Sequence, residues 1–549
     1  MPTTSFQGIC YVSVTTEAAW SNESLLWILI TGFIIAFVLA FAVGANDVAN
    51  SFGTAVGAKV LTLKQACVLA TIFETAGAVL LGAKVGETIR KGIIDVTVYD
   101  DVTNGVTILM LGELSAMFGS AVWQLVATRF RLPVSGTHSI VGSCIGFSLV
   151  AVGSTGVNWP KLGLIVASWF ISPVLSGGLT VLLFLFVNYT ILAKENPLKN
   201  GLLLLPFFYA ITIGINTFSI VYSGAPLLGL DHLPVWASVL ISLGFALLTG
   251  VLVVLLAVPR IRSRAKTALT GLYSKQDYFH IKTVTHDVIH VLRRHTYNMT
   301  LHMFNYLGFA YTHVHNTNKD VEIESTEPFE SLYNKDQISK NNEEKNIITR
   351  SASVGFDSST LNVSIFPQEN EVDDGPAVRE LFSSLQVLTA CFASFAHGGN
   401  DVSNAIGPLI ALWIVFWSGE VVQKAFTPWY LLMYGGFGIC IGLWLLGRRV
   451  IETIGSNLTK VTPSRFRGFC IELMTALTVL VASNVGLPVS TTHCKVGSVV
   501  SIGWFRSRSA VDWSLVGNIA VAWFVTVPVS GLLSAGVMWV LIVIICRIT

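Results

Sequence analysis

Gly44-Ala45-Asn46-Asp47-Val48-Ala49-Asn50 closes the 19-residue apolar run Leu25 to Val43, and it has a near copy 354 residues later, Gly398-Gly399-Asn400-Asp401-Val402-Ser403-Asn404. A run of that length suffices to cross a bilayer. A carboxylate at membrane depth costs roughly 2.5–3.5 kcal/mol on insertion scales, which makes it a functional hypothesis by default. Asn and Asp also bond neighbouring helices together, but that bland role does not explain why the likeness extends far beyond these residues.

Two further anchors recur in the same order. Leu132-Pro133-Val134-Ser135-Gly136-Thr137-His138, with Gly142 after it, corresponds to Leu487-Pro488-Val489-Ser490-Thr491-Thr492-His493 with Gly497. Trp169, Pro173 and Ser176-Gly177 correspond to Trp523, Pro528 and Ser530-Gly531. Asp47 to Pro133 is 86 residues and Asp401 to Pro488 is 87; Pro133 to Pro173 and Pro488 to Pro528 are both 40. The chain is therefore an internal duplication.

Composition sets its medium. Of 549 residues, 52% are hydrophobic and 12% charged, against about 25% charged in a soluble domain; this is an integral membrane protein. The net charge of +2 gives no reason to expect an acidic partner, and no nucleic acid is expected. The cysteines lie mostly in or beside apolar runs and make no disulfide framework, zinc spacing or haem spacing. Residues 1–24 hold no Lys or Arg, so they form a poor cleavable signal and are expected to face outward. Further apolar runs at about 66–83, 105–127, 133–152, 162–192, 202–222 and 233–258 bring the chain to Arg260, Arg262, Arg264 and Lys266, a basic exit expected in the cytoplasm.

Residues 259–380 are expected to form a cytoplasmic loop. Residues 260–380 carry 14 of the 34 Lys+Arg, 16 of the 32 Asp+Glu and 7 of the 11 His. Ile281, Val284, Val288, Ile289 and Leu292 suit an amphipathic helix, and the acidic, Asn/Ser-rich stretch of about 319–375 reads as disordered. Runs at about 383–416, 428–447, 469–485, 488–505 and 514–546 complete about twelve spans, with 25–258 and 381–549 as the two membrane parts and both termini outside. The runs at 133 and 488 could be re-entrant instead. An odd number of spans separates the two Asn-Asp stretches, so the repeats are inverted. The expected fold is an all-α polytopic membrane protein of two inverted-topology repeats with broken or re-entrant segments. Such repeats point to a secondary transporter with its site near the midplane.

Each Leu-Pro-Val-Ser-x-Thr-His stretch reads as a break followed by a helix start, capped by Ser or Thr. A buried helix N-terminus offers aligned N–H donors and about half a positive charge, which suits phosphate. Ser135, Gly136, Thr137, Ser490, Thr491 and Thr492, bordered by Asp47 and Asp401, form the candidate phosphate site. Asp47 and Asp401 would repel an anion alone, and they become sensible as cation ligands. Asn46, Asn50, Asn400 and Asn404 add neutral oxygens, and Glu74, Glu113 and Glu472 also lie within apolar runs and are candidates for the same cation-ligating role, with Glu113 and Glu472 counted among the sodium ligands. With little fixed positive charge nearby beyond Lys495, the anion would depend on a co-bound cation, and the two would be reciprocally linked. His138 and His493 read either as buried spacers or as functional groups. His397 stands where repeat one has Val43, and Glu74 has no acidic partner in a glycine-rich region around Gly435, Gly436 and Gly438.

These paired motifs resemble the inorganic phosphate transporter (PiT) family over about 25–258 and 383–546, and Glu74-Thr75 with Lys84-Val85-Gly86-Glu87-Thr88-Ile89-Arg90-Lys91 resembles its eukaryotic sodium-dependent branch. The resemblance implies sodium symport of phosphate, preferably the monovalent ion, across the plasma membrane, by homodimers and without a cofactor. It carries ion-handling roles onto Asp47, Glu74, Glu113, Asp401 and Glu472, pairs Ser135 with Ser490, and includes His397. Asp100-Asp101-Val102-Thr103 lacks the glycosylation sequon the family often has there, and Asn22-Glu23-Ser24 abuts the first span. The competing readings are a proton-coupled carrier, a phosphate sensor whose output is the large loop, and an intramembrane hydrolase using Ser135, His138 and Asp47. The duplication argues against the hydrolase, which needs only one such constellation.

Overall fold

The computed structural model describes residues 23–223, 228–230, 233–269, 375–421, 427–447, 464–507 and 511–548. Met1–Leu272 and Asp373–Thr549 together form one compact unit. The other unit, Tyr273–Val372, lies outside the described residues, as do the amphipathic and acidic stretches expected there and the Asn22 sequon.

The described residues form fifteen α-helices and no strand, only an isolated bridge between Ile94 and Val157. The first half contains α1 (Glu23–Asp47), α2 (Ala49–Gly57), α3 (Leu63–Gly92), α4 (Gly105–Arg129), α5 (Gly136–Ala151) and α6 (Trp159–Val187). Two spanning helices, α7 (Pro197–Ser223) and α8 (Val235–Leu252), follow, and α8 leads through a π turn into the basic α9 (Val258–Leu269). The second half contains α10 (Pro376–His397), α11 (Ser403–Ser418), α12 (Trp429–Leu446), α13 (Arg465–Asn484), α14 (Thr491–Arg506) and α15 (Trp513–Ile548).

Ten helical stretches among the described residues are long and apolar enough to cross a membrane. The sequence suggested about twelve. The two that differ are α5 and α14, of 16 residues each. At 1.5 Å per residue each is about 24 Å long, short of the ~30 Å hydrocarbon core. Hydropathy alone merges each with the extended apolar leader before it. Both start at a capped break: the Ser135 Oγ accepts from His138 N at 3.3 Å, and the Ser490 Oγ accepts from His493 N at 3.2 Å.

Each half-helix runs back along the helix before it. Ser120 on α4 bonds Ser139 on α5 at 2.9 Å, and a Cβ at Gly112 would meet the Phe147 ring. Thr475 on α13 bonds Ser498 on α14 at 3.0 Å, and Phe184 touches both Phe466 and Phe505. Such hairpins add either no crossing or two. The other spanning stretches before residue 269 are Ser24–Gly57, Leu63–Ile89, Trp159–Leu192, Pro197–Ser223 and Val235–Ala268. Their number is odd, the parity that inverted repeats require.

The halves are packed by exchange. Helix α5 lies against α15 of the other half, and α14 lies against α6. A Cβ at Gly142 would come 2.4 Å from the Val527 carbonyl, and one at Gly497 would come 2.3 Å from the Pro173 carbonyl. Only glycine allows the half-helices this close approach to the proline-bearing helices. Likewise α1 packs on α12, and α10 with α11 packs on α3. There Gly44 faces the Ile439 carbonyl at 1.9 Å and Gly398 faces the Glu74 carbonyl at 2.1 Å, measured from the Cβ each lacks. This pseudo-twofold pairing makes Ile439 the structural counterpart of Glu74, in place of the glycines suggested by sequence.

Candidate functional site

The breaks in the first helix of each half bring the Asn-Asp stretches to the capped starts of α5 and α14. In repeat one, α1 ends at Asp47 and α2 begins at Ala49; in repeat two, Gly398–Val402 forms a π turn between α10 and α11. Asn46 holds the extended leader of α5: its Nδ2 donates to Leu132 O at 2.9 Å and to Thr128 Oγ1 at 3.1 Å, and its Oδ1 accepts from Val134 N at 3.1 Å. Asn400 Nδ2 donates to Val489 O at 2.9 Å on the matching leader.

The threonines then cross between halves. Thr137 Oγ1 donates to Val489 O at 3.1 Å, and Thr492 Oγ1 lies 3.3 Å from Val134 O. Asn404 Nδ2 donates to Thr137 Oγ1 at 2.8 Å, and Asn50 Nδ2 donates to Thr492 Oγ1 at 2.9 Å. Asp47 Oδ1 accepts from Thr492 Oγ1 at 3.0 Å, while its Oδ2 accepts from Gly136 N at 3.2 Å. Asp401 Oδ2 accepts from Thr491 Oγ1 at 2.7 Å, and its Oδ1 accepts from Asn404 at 3.0 Å and Asn400 at 3.3 Å. Gly136 and Thr491 occupy matching first positions of the half-helices, so one carboxylate takes a backbone donor where the other takes a hydroxyl.

All these carboxylates and amides are buried. Three amide oxygens, Asn50 Oδ1, Asn400 Oδ1 and Asn404 Oδ1, have no hydrogen-bond donor. Buried acceptors are rarely left so, and oxygen-only surroundings beside two carboxylates are what a hard cation requires.

The second half adds an arm absent from the first. His397 Nδ1 lies 2.7 Å from Glu74 Oε2, and Ser394 Oγ donates to Glu74 Oε1 at 2.9 Å. His397 Nε2 stands 3.0 Å from Asp401 Oδ2, close enough for an ion pair though off the line of a hydrogen bond. The apolar Val43 and Ile439 occupy the matching places around Asp47. Behind the half-helix caps, His138 stacks on Trp169 and His493 lies over Trp523, each with ring centroids 3.7 Å apart, and the two imidazoles approach to 4.4 Å. His493 Nδ1 lies 3.1 Å from Trp169 O, and Trp523 Nε1 donates to Pro133 O at 3.3 Å and so ties the leader of α5.

Of the expected site residues, Asn46, Asp47, Asn50, Glu74, Gly136, Thr137, His397, Asn400, Asp401, Asn404, Thr491 and Thr492 are joined in one network, while Ser135 and Ser490 stand beside it as the caps of α5 and α14. Glu472 belongs to a separate cluster, where it accepts from Thr54 Oγ1 and, at 3.1 Å, from Thr389 Oγ1. Glu113 lies towards Cys144 and Tyr99, along α5 from its start. Burial holds the Tyr99 phenol well above its usual range. The sequence did not single out Thr54, Thr128 or Thr389; only the i, i+4 spacing from Asn50 hinted at Thr54.

Residues 43–534 match the family described as the phosphate transporter family, PHO4. The chain belongs to this family. Among its relatives, "Sodium-dependent phosphate transporter 1-A" of Danio rerio is 45% identical over 98% of this chain and 98% of its own. "Sodium-dependent phosphate transporter 2" of Homo sapiens is 46% identical over 94% of this chain and 98% of its own. A solved structure titled "The sodium-dependent phosphate transporter" superposes with a TM-score of 0.68 at 33% identity, covering 94% of this chain and 99% of that one. In this multi-pass member of the family, the duplicated motifs make up the buried polar centre.

Proposed function

We propose that the chain is a sodium-coupled symporter that imports inorganic phosphate, preferably the monovalent ion, across the plasma membrane as a homodimer, with both termini outside and residues 259–380 in the cytoplasm. Sodium is the co-substrate. The observation that carries the reading is the set of donor-less oxygens of Asn50, Asn400 and Asn404 beside Asp47 and Asp401, at the starts of two half-helices. Relatives bearing the sodium-dependent phosphate transporter name over nearly the whole chain support it.

Ser135, Gly136, Thr137, Ser490, Thr491 and Thr492 bind the phosphate. The Ser135 and Ser490 oxygens accept the cap bonds, which leaves their hydrogens to donate to an anion. Asp47 already holds the Gly136 N–H, so phosphate competes with a carboxylate for the same donor. Sodium on Asp47 and Asp401, with Asn46, Asn50, Asn400 and Asn404 around them, removes the conflict and makes each ion's affinity depend on the other.

The test is uptake of radiolabelled phosphate into proteoliposomes with choline replacing sodium at fixed pH, and with arsenate and sulfate as competitors. Sodium-dependent uptake blocked by arsenate and not by sulfate is expected; uptake indifferent to sodium refutes the coupling. A second reading rests on the Glu74–His397–Asp401 chain, a geometry suited to proton movement. A pH gradient alone would then drive uptake.

A further inference from the structure

The seam between α2 and α14 has two polar rungs. The first is Asn50 with Thr492. One helical turn further along, Lys495 Nζ donates to Thr54 Oγ1 at 3.0 Å, and Thr54 Oγ1 donates to Glu472 on α13. Lys495 and Glu472 are both buried and interact electrostatically through this single hydroxyl. Thr389 Oγ1 donates to the other Glu472 oxygen at 3.1 Å. Gln386, on α10 one turn from Thr389, is buried and bears on the Glu472 carboxylate, and a Cβ at Gly468 would strike its amide.

The matching seam between α11 and α5 has only its first rung, Asn404 with Thr137. Thr54 corresponds there to Pro408 and Lys495 to Ile140, by the offsets that match Asn50 to Asn404 and Thr137 to Thr492. Glu472 stands 16 residues before Pro488, a place held by Met117 before Pro133. The charged rung is therefore present at one seam and lacks all three members at the other.

We propose that Lys495 is a tethered cation that neutralises Glu472 in place of a transported sodium ion. A buried carboxylate needs a compensating charge. Glu472 with Thr389 Oγ1 and Thr54 Oγ1 is otherwise a set of oxygens suited to sodium, and the lysine excludes the ion by occupying its electrostatic role. Lys495 is thus a positioning residue: it holds Thr54, and with it Asn50, and it limits the number of sodium ions that accompany phosphate. This inference rests on the sodium-symport reading.

The test measures radiolabelled sodium and phosphate uptake together in proteoliposomes, for the full chain and for Lys495→Met, Lys495→Arg and Lys495→Met/Glu472→Gln. Lys495→Met is expected to carry about one more sodium per phosphate, because an uncompensated buried carboxylate recruits a cation. Lys495→Arg and the doubly neutral variant are expected to keep the unsubstituted ratio. An unchanged ratio in Lys495→Met overturns the proposal. If that variant does not fold, a doubly neutral variant that folds with an altered ratio, or fails to fold, overturns it too. Loss of sodium dependence in the unsubstituted chain would instead refute the symport reading, independently of Lys495.

Discussion

The two halves share a backbone plan and differ in how they keep their buried carboxylates. Around Asp47 the partners are neutral: a backbone N–H from Gly136 and the hydroxyl of Thr492, which in turn accepts from the Asn50 amide. Around Asp401 a titratable arm reaches in through His397 to Glu74. The charged rung of Lys495 and Glu472 sits instead on the Asp47 side, one turn beyond Asn50. The cradle is thus symmetric, and one charged device stands on each side of it. A transporter built this way can bind equivalent ligands at its centre while its two sides respond differently to ions.

Making one half resemble the other should break this difference. His397→Val copies Val43 and leaves Glu74 buried and unpaired, which should destabilise the protein by about 3–5 kcal/mol. Glu74→Ile/His397→Val copies the whole apolar pair and should recover most of that loss, as read by thermal unfolding of the purified protein. Equal loss in the single and double variants would mean that the arm is not a unit.

Next in size are the central carboxylates. Asp47→Asn and Asp401→Asn should each lower apparent sodium affinity by about 10–100-fold, from about 1.5–3 kcal/mol per charged hydrogen-bonded contact. Asp401→Asn should cost more, because it also strips His397 of a partner. Unchanged sodium dependence in both, at normal surface expression, would remove the cation-ligand assignment. Gly142→Ala and Gly497→Ala test the shared plan. Both push a methyl group into a carbonyl of the other half, and both should cost about 1–3 kcal/mol of stability. A large difference between them would show that the exchange is not symmetric in energy. The smallest effect is expected from Ser135→Ala and Ser490→Ala, each losing a cap worth about 0.5–2 kcal/mol and raising the phosphate KM. Near-equal KM changes would sharpen the view that both half-helices face the same anion.

The repeat, the inversion and most of the central network were legible in sequence because polar residues in apolar runs are rare and their spacings survived duplication. The half-helices were harder to see: Pro133-Val134 and Pro488-Val489 are apolar, so a leader and a short helix read together as one span. The counterpart of Glu74 was hidden by length. Asp47 to Glu74 is 27 residues while Asp401 to Ile439 is 38, mainly because α11 has 16 residues where α2 has 9, and counting from the anchor therefore fails. The Lys495 rung joins residues 441 apart, and no local pattern links a lone lysine to a threonine in another helix.

The exchange of half-helices also has a consequence for biogenesis. Ser143 on α5 finds its acceptor at Ser530, 387 residues later. At about 5–20 residues per second, the ribosome reaches that partner about 20–80 s after making the donor. During that interval the first repeat sits in the membrane with its half-helix unseated and the backbone of its extended leader uncovered. A complete nascent first half is therefore an unfinished object, open to quality-control factors, and its maturation is timed by the last helix to leave the ribosome.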